Sequence, residues 1–298
     1  MAVERQKEEE REGVEIFCGA DFNVLPEECI AAIFTFTNPR DACRFDSVST
    51  TFKSAADSDL VWEHFLPSDY RQILARSNDG QALLDSLSKK QLFLHLAHTP
   101  LLIDGGILSF SLEKSTGKKC YTIGARNLSI SWGDTPTYWQ WNSMPKSSRF
   151  SEVAKLIYVW WLEIRGKIKT SMLSPNTHYG VYLVFNVSED LFGLYDLPVK
   201  VGIKTGGGEL VTGNVYLDPR RAGIIDETLI MYAEVFTEKE DDVKLPKKRG
   251  NDWLEVEIGE LLTTGEDEDV EMSILEVEAG KPKGGFYVDG IEIRPKII

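Results

Sequence analysis

The sequence is short of the features that mark several protein classes. Its four cysteines, Cys18, Cys29, Cys43 and Cys120, are scattered and show no CxxC spacing. That argues against a zinc site or a disulfide framework and fits a reducing compartment. The opening residues, Met1 to Lys7 and then Glu8, Glu9 and Glu10, hold no apolar segment, so no secretory leader is expected. No apolar run approaches the ~18 residues of a membrane-spanning helix. Positive charge is in deficit, with 33 Lys and Arg against 47 Asp and Glu and a formal net charge of -14. Such a surface lacks the basic face that displaces counterions from phosphates, so neither nucleic acid nor membrane insertion is expected. The chain is expected in the cytoplasm or nucleus, where Asn127-Leu-Ser and Asn186-Val-Ser carry no weight as glycosylation triplets.

Catalytic constellations are missing too. His64, His95, His98 and His178 stand without a recognisable nucleophile or metal-ligand partner. Gly206-Gly-Gly208 has neither the strand–GxGxxG–helix setting nor a P-loop lysine, and reads as a flexible turn. Glu255 and Glu257 lie two apart on one strand face, with no sign of an acid/base division. No enzymatic activity, cofactor or metal is expected.

What is present divides near residue 100. At 298 residues the chain has room for two domains, and 42% hydrophobic with 27% charged residues is an ordinary globular balance. Residues 1–19 read as a mobile charged tail. From about 22 to 98 the apolar spacing is helical. Ile30, Ile33 and Phe34 follow one face after Leu25-Pro26, Asn38 caps a helix with Pro39 in its first turn, and Ser49 caps an element carrying Phe52. Asp57 or Ser58 opens a fourth element bearing Trp62 and Phe65, and Ser88 to Ala97 reads as another helix. No internal repeat is visible.

Beyond residue 100 the pattern is of short strands. Candidates are Ile107–Leu112, Cys120–Ile123, Leu128–Trp132, Val153–Ile168, Thr177–Val187, Leu197–Gly202, Leu229–Thr237, Trp253–Ile258, Val270–Glu278 and Gly285–Pro295. Tyr179, Val181, Leu183 and Phe185 alternate strictly onto one face. Many strands with turn signals between them predict a jelly-roll sandwich. The acidic stretch Thr263–Asp269 and the mixed-charge stretch Glu238–Arg249 read as solvated loops.

The N-terminal pattern resembles the F-box family. It consists of Leu25-Pro26-Glu27-Glu28, then Ile30 and Ile33, Pro39-Arg40-Asp41-Ala42, Val48-Ser49-Thr50-Thr51-Phe52, and finally Trp62. Ser49 stands where cysteine is common and Phe52 where tryptophan is common. A bundle this small cannot bury a sufficient core alone and should leave an apolar face for a partner. The resemblance implies that this partner is the Skp-type adaptor of an SCF (cullin-RING) ubiquitin ligase. Leu25, Pro26, Ile30 and Ile33 would lie in or near the interface, supported by Pro39, Val48 and Phe52. The F-box would span 20–66, with a helical linker region over 67–99.

Residues 100–298 resemble the phloem protein 2 (Nictaba-like) lectins. The likeness runs through Ala125 to Trp141, Glu152 to Leu156, Trp161 to Ile168, Tyr179 to Phe185, Asp252 to Glu260, Val270 to Glu276 and Val288 to Pro295. With an F-box in front, the chain resembles plant F-box proteins of the phloem protein 2-B type. A sugar needs an aromatic ring for its C–H face and carboxylates or amides for its hydroxyls. The family's site maps onto Trp132, Trp139, Asp269 and Glu276. The family carries glutamate at the first acidic position, and Asp269 is one methylene shorter.

Each of these has a second reading. Trp132 ends an alternating strand and could be core, Glu276 could be an outward solvated residue, and Asp269 could be part of a solvated loop. Tyr138 and Trp141 read as packing residues, and Trp160, Trp161 and Trp253 as strand core. The leading expectation is a non-catalytic ligase receptor for glycans or glycoproteins. The alternatives are a receptor whose sandwich binds protein without carbohydrate, and a defence lectin whose helical region is purely structural.

Overall fold

The computed structural model describes residues 25–144, 146–224 and 243–297. The expected tail, the first residues of the expected F-box and the expected strand Leu229–Thr237 lie outside the described residues.

Four of the seven helices among the described N-terminal residues start at a side-chain cap. Helix α1 (Glu27–Phe34) follows Pro26. Asn38 accepts a hydrogen bond from the Asp41 N–H and starts α2 (Pro39–Phe45), whose first residue is proline. Ser49 caps α3 (Thr50–Asp57) and Ser58, rather than Asp57, caps α4 (Asp59–Phe65). Two short helices not expected from the sequence follow, α5 (Tyr70–Leu74) and α6 (Gly80–Ser86). Ser88 and Gln91 form a reciprocal capping box on α7 (Lys89–His98). Apolar faces of α1 to α4 meet around Ile30, Ala31, Phe34, Ala55 and Trp62, all buried. The Trp62 indole N–H donates to the Ala56 carbonyl at 2.6 Å, so this large side chain is buried without an unsatisfied donor.

The remaining described chain forms a sandwich of two antiparallel sheets. One contains β1 (Leu101–Ile103), β2 (Leu108–Leu112), β3 (Lys119–Gly124), β5 (Trp139–Asn142), β6 (Val153–Leu156), β8 (Thr177–Phe192), β11 (Lys247–Lys248), β12 (Leu254–Thr263) and β14 (Gly284–Pro295). Its order is β1-β2-β3-β14-β8-β12-β11, with β6 also on β14 and β5 on β6. The other contains β4 (Ser129–Ile130), β7 (Leu162–Lys169), β9 (Val199–Thr205), β10 (Val211–Val215) and β13 (Asp269–Glu276), in the order β10-β9-β13-β7-β4. The alternation of β7 sends Leu162, Ile164 and Ile168 inward and Glu163, Arg165, Lys167 and Lys169 outward. At Gly166 the sheets approach so closely that a Cβ would lie 3.1 Å from Ile291 Cδ1 on β14.

The helices sit on the β2–β3 hairpin. Gly117, in the turn, has φ +70°, and a Cβ there would lie 2.6 Å from the Phe65 carbonyl oxygen. That close approach and left-handed backbone both call for glycine. Phe93 of α7 packs on Trp62 with ring centroids 5.2 Å apart. Buried Lys119 reaches Asp69 at 3.0 Å, and Arg76 makes two hydrogen bonds to Asp104 at 2.9 and 2.7 Å.

Three strand expectations are corrected. Val153–Ile168 is two strands in different sheets, because the run Ile157 to Trp161 leaves β6 and crosses to β7. Its pivot is buried Val159, bridged to Lys283. Leu128–Trp132 pairs only through Ile130, because Trp132 takes a left-handed backbone at φ +57° that no strand continues. Trp160 and Trp161 lie in the crossing rather than in a core strand, and both are exposed. Trp253 is buried as expected, and Gly206-Gly-Gly208 makes the turn between β9 and β10.

Candidate functional site

Two surfaces bring the chemistry-bearing residues together. On the helical bundle, Leu25, Pro26, Ile33 and Val48 are exposed, while Ile30 and Pro39 are buried and Phe52 is half-buried. The expected interface set therefore divides into surface residues and residues that hold the surface in place. Phe52 does the latter, packing edge-on against Phe34 and Phe45 with centroids 5.5 and 6.2 Å apart. Phe36, which the helical pattern did not single out, is 91% exposed just past the end of α1. An aromatic between two threonines, outside any apolar period and next to the Asn38 cap, was the available signal.

The second surface lies where β4 and β7 begin to pair. Trp132 is 49% and Trp161 45% exposed, and their rings meet edge to face with centroids 6.5 Å apart. Tyr138 closes the group, 5.8 Å from Trp132. A carboxylate fixes it from beneath. Glu163 accepts from the Trp161 indole N–H at 3.1 Å, the Ser131 hydroxyl at 3.0 Å and Arg165 at 2.8 Å. The Arg165 hydrogen bond, helped by those from Trp161 and Ser131, holds the Glu163 carboxyl below the usual carboxylate range. Trp141 instead turns inward toward this loop, donating to the Gly133 carbonyl at 3.0 Å beneath the Arg126 guanidinium. The result is an exposed aromatic platform with polar groups at its rim, which is the combination a pyranose face and its hydroxyls need.

The other expected sugar residues do not converge on this platform. Trp139, the first residue of β5, is 2% exposed and sits in the core, its indole N–H without an acceptor among the described residues. Glu276 is buried rather than outward. It forms an ion pair with Lys283 and accepts from the Ala279 N–H at 2.9 Å. Lys283, with no exposed side-chain surface, also donates to the Trp160 carbonyl at 2.9 Å. Glu276 thus anchors the crossing that carries Trp160 and Trp161. Asp269 is exposed at the opposite end of β13, paired in register with Lys169 while Glu276 pairs with Leu162. Seven steps at ~3.3 Å put these two acidic residues roughly 23 Å apart.

Trp161, Glu163 and Arg165 were overlooked as site residues although they share one parity of the β7 alternation, opposite to Leu162 and Ile164. The apolar run before them concealed the change of period.

Comparison with known proteins agrees with this two-part architecture. The F-box-like family matches residues 22–68 and the Phloem protein 2 family matches residues 118–295. In Arabidopsis thaliana, the protein PP2-B12 is 46% identical over 93% of this chain and 98% of its own length. F-box protein PP2-B10 is 40% identical over 92% and 94%, and F-box protein VBF is 40% identical over 92% and 99%. A helical F-box precedes a β-sandwich, and the chain belongs to the F-box proteins of the phloem protein 2 family.

Proposed function

We propose that this protein is a non-catalytic substrate receptor of an SCF (cullin-RING) ubiquitin ligase, working in the cytoplasm or nucleus. The carrying observation is that Leu25, Ile33, Phe36 and Val48, in and around the first three helices, are all exposed. Exposed large apolar side chains on a small bundle mark a partner surface, and membership of the F-box family supports a Skp-type adaptor as that partner. The test is co-purification of the full chain with a Skp-type adaptor. The wild type is expected to be retained. Ile33→Asp/Phe36→Asp, which alters two exposed side chains and should keep the native circular dichroism, is expected to bind at least roughly 30-fold more weakly. Equal retention of both proteins would overturn the reading.

In this proposal the sandwich presents glycans or glycoproteins to the ligase through Trp132, Tyr138 and Trp161. On a glycan array Trp132→Ala is expected to lose binding by about tenfold or more. A second reading, a sandwich that binds protein targets without sugar, is favoured by burial of Trp139, the locked Glu276 and the distance of Asp269. No array signal from an intact chain would favour it over the glycan reading.

A further inference from the structure

The crossing between β6 and β7 has a second set of aromatic rings besides Trp161. Tyr158 and Trp160, two positions apart, are both exposed. Phe192, exposed at the end of β8, meets Tyr158 with ring centroids 6.1 Å apart and ring planes inclined by 40°. The base beneath them is tightly fixed. Phe192 lies opposite Gly284 in register, and a Cβ on that glycine would come within 2.7 Å of its ring. Gly193 has φ +74°, and a Cβ there would lie 2.0 Å from the Pro282 carbonyl oxygen. The backbone of Val159 exchanges hydrogen bonds of 3.0 and 2.9 Å with that of Lys283, whose buried ammonium holds the Trp160 carbonyl. Just before Phe192 in the chain, Glu189 and Asp190 are exposed. Lys155, whose charge reaches Asp190, sits over the Tyr287 ring at 5.3 Å and forms no ion pair with Asp190 among the described residues.

We infer that the surface of Tyr158, Trp160 and Phe192 docks an extended polypeptide segment of apolar and cationic side chains, independently of the Trp132–Trp161 platform. Exposed aromatic rings on a rigid base are the anchors in which protein interfaces concentrate their binding energy. The inclined rings of Tyr158 and Phe192 form a wedge, which receives an aliphatic side chain and offers no flat surface to a pyranose. Glu189 and Asp190 supply the negative charge that lysine or arginine on the segment would match. The backbone N–H and carbonyl of Tyr158 meet no partner among the described residues, and an extended backbone offers the complement of both. Charge also argues against a second copy of this chain as the occupant. A two-fold contact at this surface would set Glu189 and Asp190 of one copy near those of the other, between molecules that each carry a net charge of -14.

The test measures binding of the full chain to an array of peptides in which leucine, valine or phenylalanine alternates with lysine, arginine, serine or glutamate. The lysine and arginine members are expected to bind about tenfold or more tightly than their glutamate counterparts. Tyr158→Ser/Phe192→Ser leaves the net charge unchanged and is expected to weaken that binding by about tenfold or more, with native circular dichroism. Glu189→Gln/Asp190→Asn alters only exposed side chains and is expected to erase the preference for cationic members while the serine members bind as before. Trp132→Ala is expected to leave peptide binding unchanged. A wild type that binds no cationic member overturns the inference. So does binding that survives Tyr158→Ser/Phe192→Ser, which would reduce it to general attraction toward an acidic protein, or a cationic preference that survives Glu189→Gln/Asp190→Asn. Two other results assign the surface to a different occupant and overturn the inference equally. One is an array glycan whose binding is lost in Phe192→Ser, and the other is a dimer in sedimentation that the same change dissolves.

Discussion

Lys283 has no exposed side-chain surface, and its ammonium lies among the Glu276 carboxylate, the Trp160 carbonyl and the Lys281 carbonyl. Removing two charges from water is costly, and such a pair is sustained only when hydrogen bonds satisfy what the partner does not. Here they do, and they tie the crossing between β6 and β7 to the end of β13. Lys283→Met leaves Glu276 as an uncompensated buried charge and is expected to cost about 3–5 kcal/mol. The double variant Lys283→Met/Glu276→Leu is expected to recover most of that loss. Urea midpoints of the two variants against the wild type decide the matter, and equal loss in single and double variants would sink the account. From the sequence Glu276 was a sugar-binding or solvated residue, since nothing local ties it to a lysine seven positions on. Trp132 was equally ambiguous. An alternating run through Leu128 and Ile130 points it inward, and only its left-handed backbone, a conformation costing of order 1–2 kcal/mol, turns it to the surface.

Strands β12 and β14, which flank β8, carry an ion network on their outer face. Arg294 reaches Glu255 at 2.6 Å and Glu292 at 3.1 Å, and Arg249 joins the same two carboxylates. Farther along, Glu257 meets Lys244 at 2.7 Å and Lys296 at 3.2 Å. Burial pushes the Glu257 carboxyl up, but the hydrogen bonds from Lys244 and Lys296 prevail and draw it down from 4.5 to about 2. A carboxylate with a depressed folded-state pKa adds stability that is complete above its unfolded value and is lost as pH falls through the folded one. The thermal midpoint of the wild type should therefore exceed that of Glu257→Gln at neutral pH, and the gap should close between about pH 4.5 and about pH 2. A gap that stays constant over that range would show that the ion pairs are not its source. Sequence alone placed Glu255 and Glu257 on one face of a strand, and the structure agrees. Their cationic partners come from separate elements, so local alternation could not reveal them.

Across the whole molecule, helices and sandwich share one buried core. Leu92, Phe93 and Leu96 of α7 join Trp62 and Phe65 on one side and the β2–β3 hairpin on the other. The sequence by itself determined the elements and their class: capping side chains at Asn38, Ser49 and Ser88, period-two alternation on β7 and β8, and the F-box and phloem protein 2 motifs with their spacing. These are signals carried within a few residues, where backbone sterics and hydrogen bonding act directly. Tertiary structure alone decided which aromatic rings reach solvent, which carboxylates are spoken for, and which rows of residues face one another. Trp132 meets Trp161 and Phe192 aligns with Gly284 because strands far apart in the chain pair in a particular register. A shift of one residue would turn each side chain to the other face. That register is set by the packing of the two sheets as a whole, and for that reason the lectin-like fold was legible in the sequence while the meeting of Trp132 with Trp161 and the burial of Trp139 and Glu276 were not.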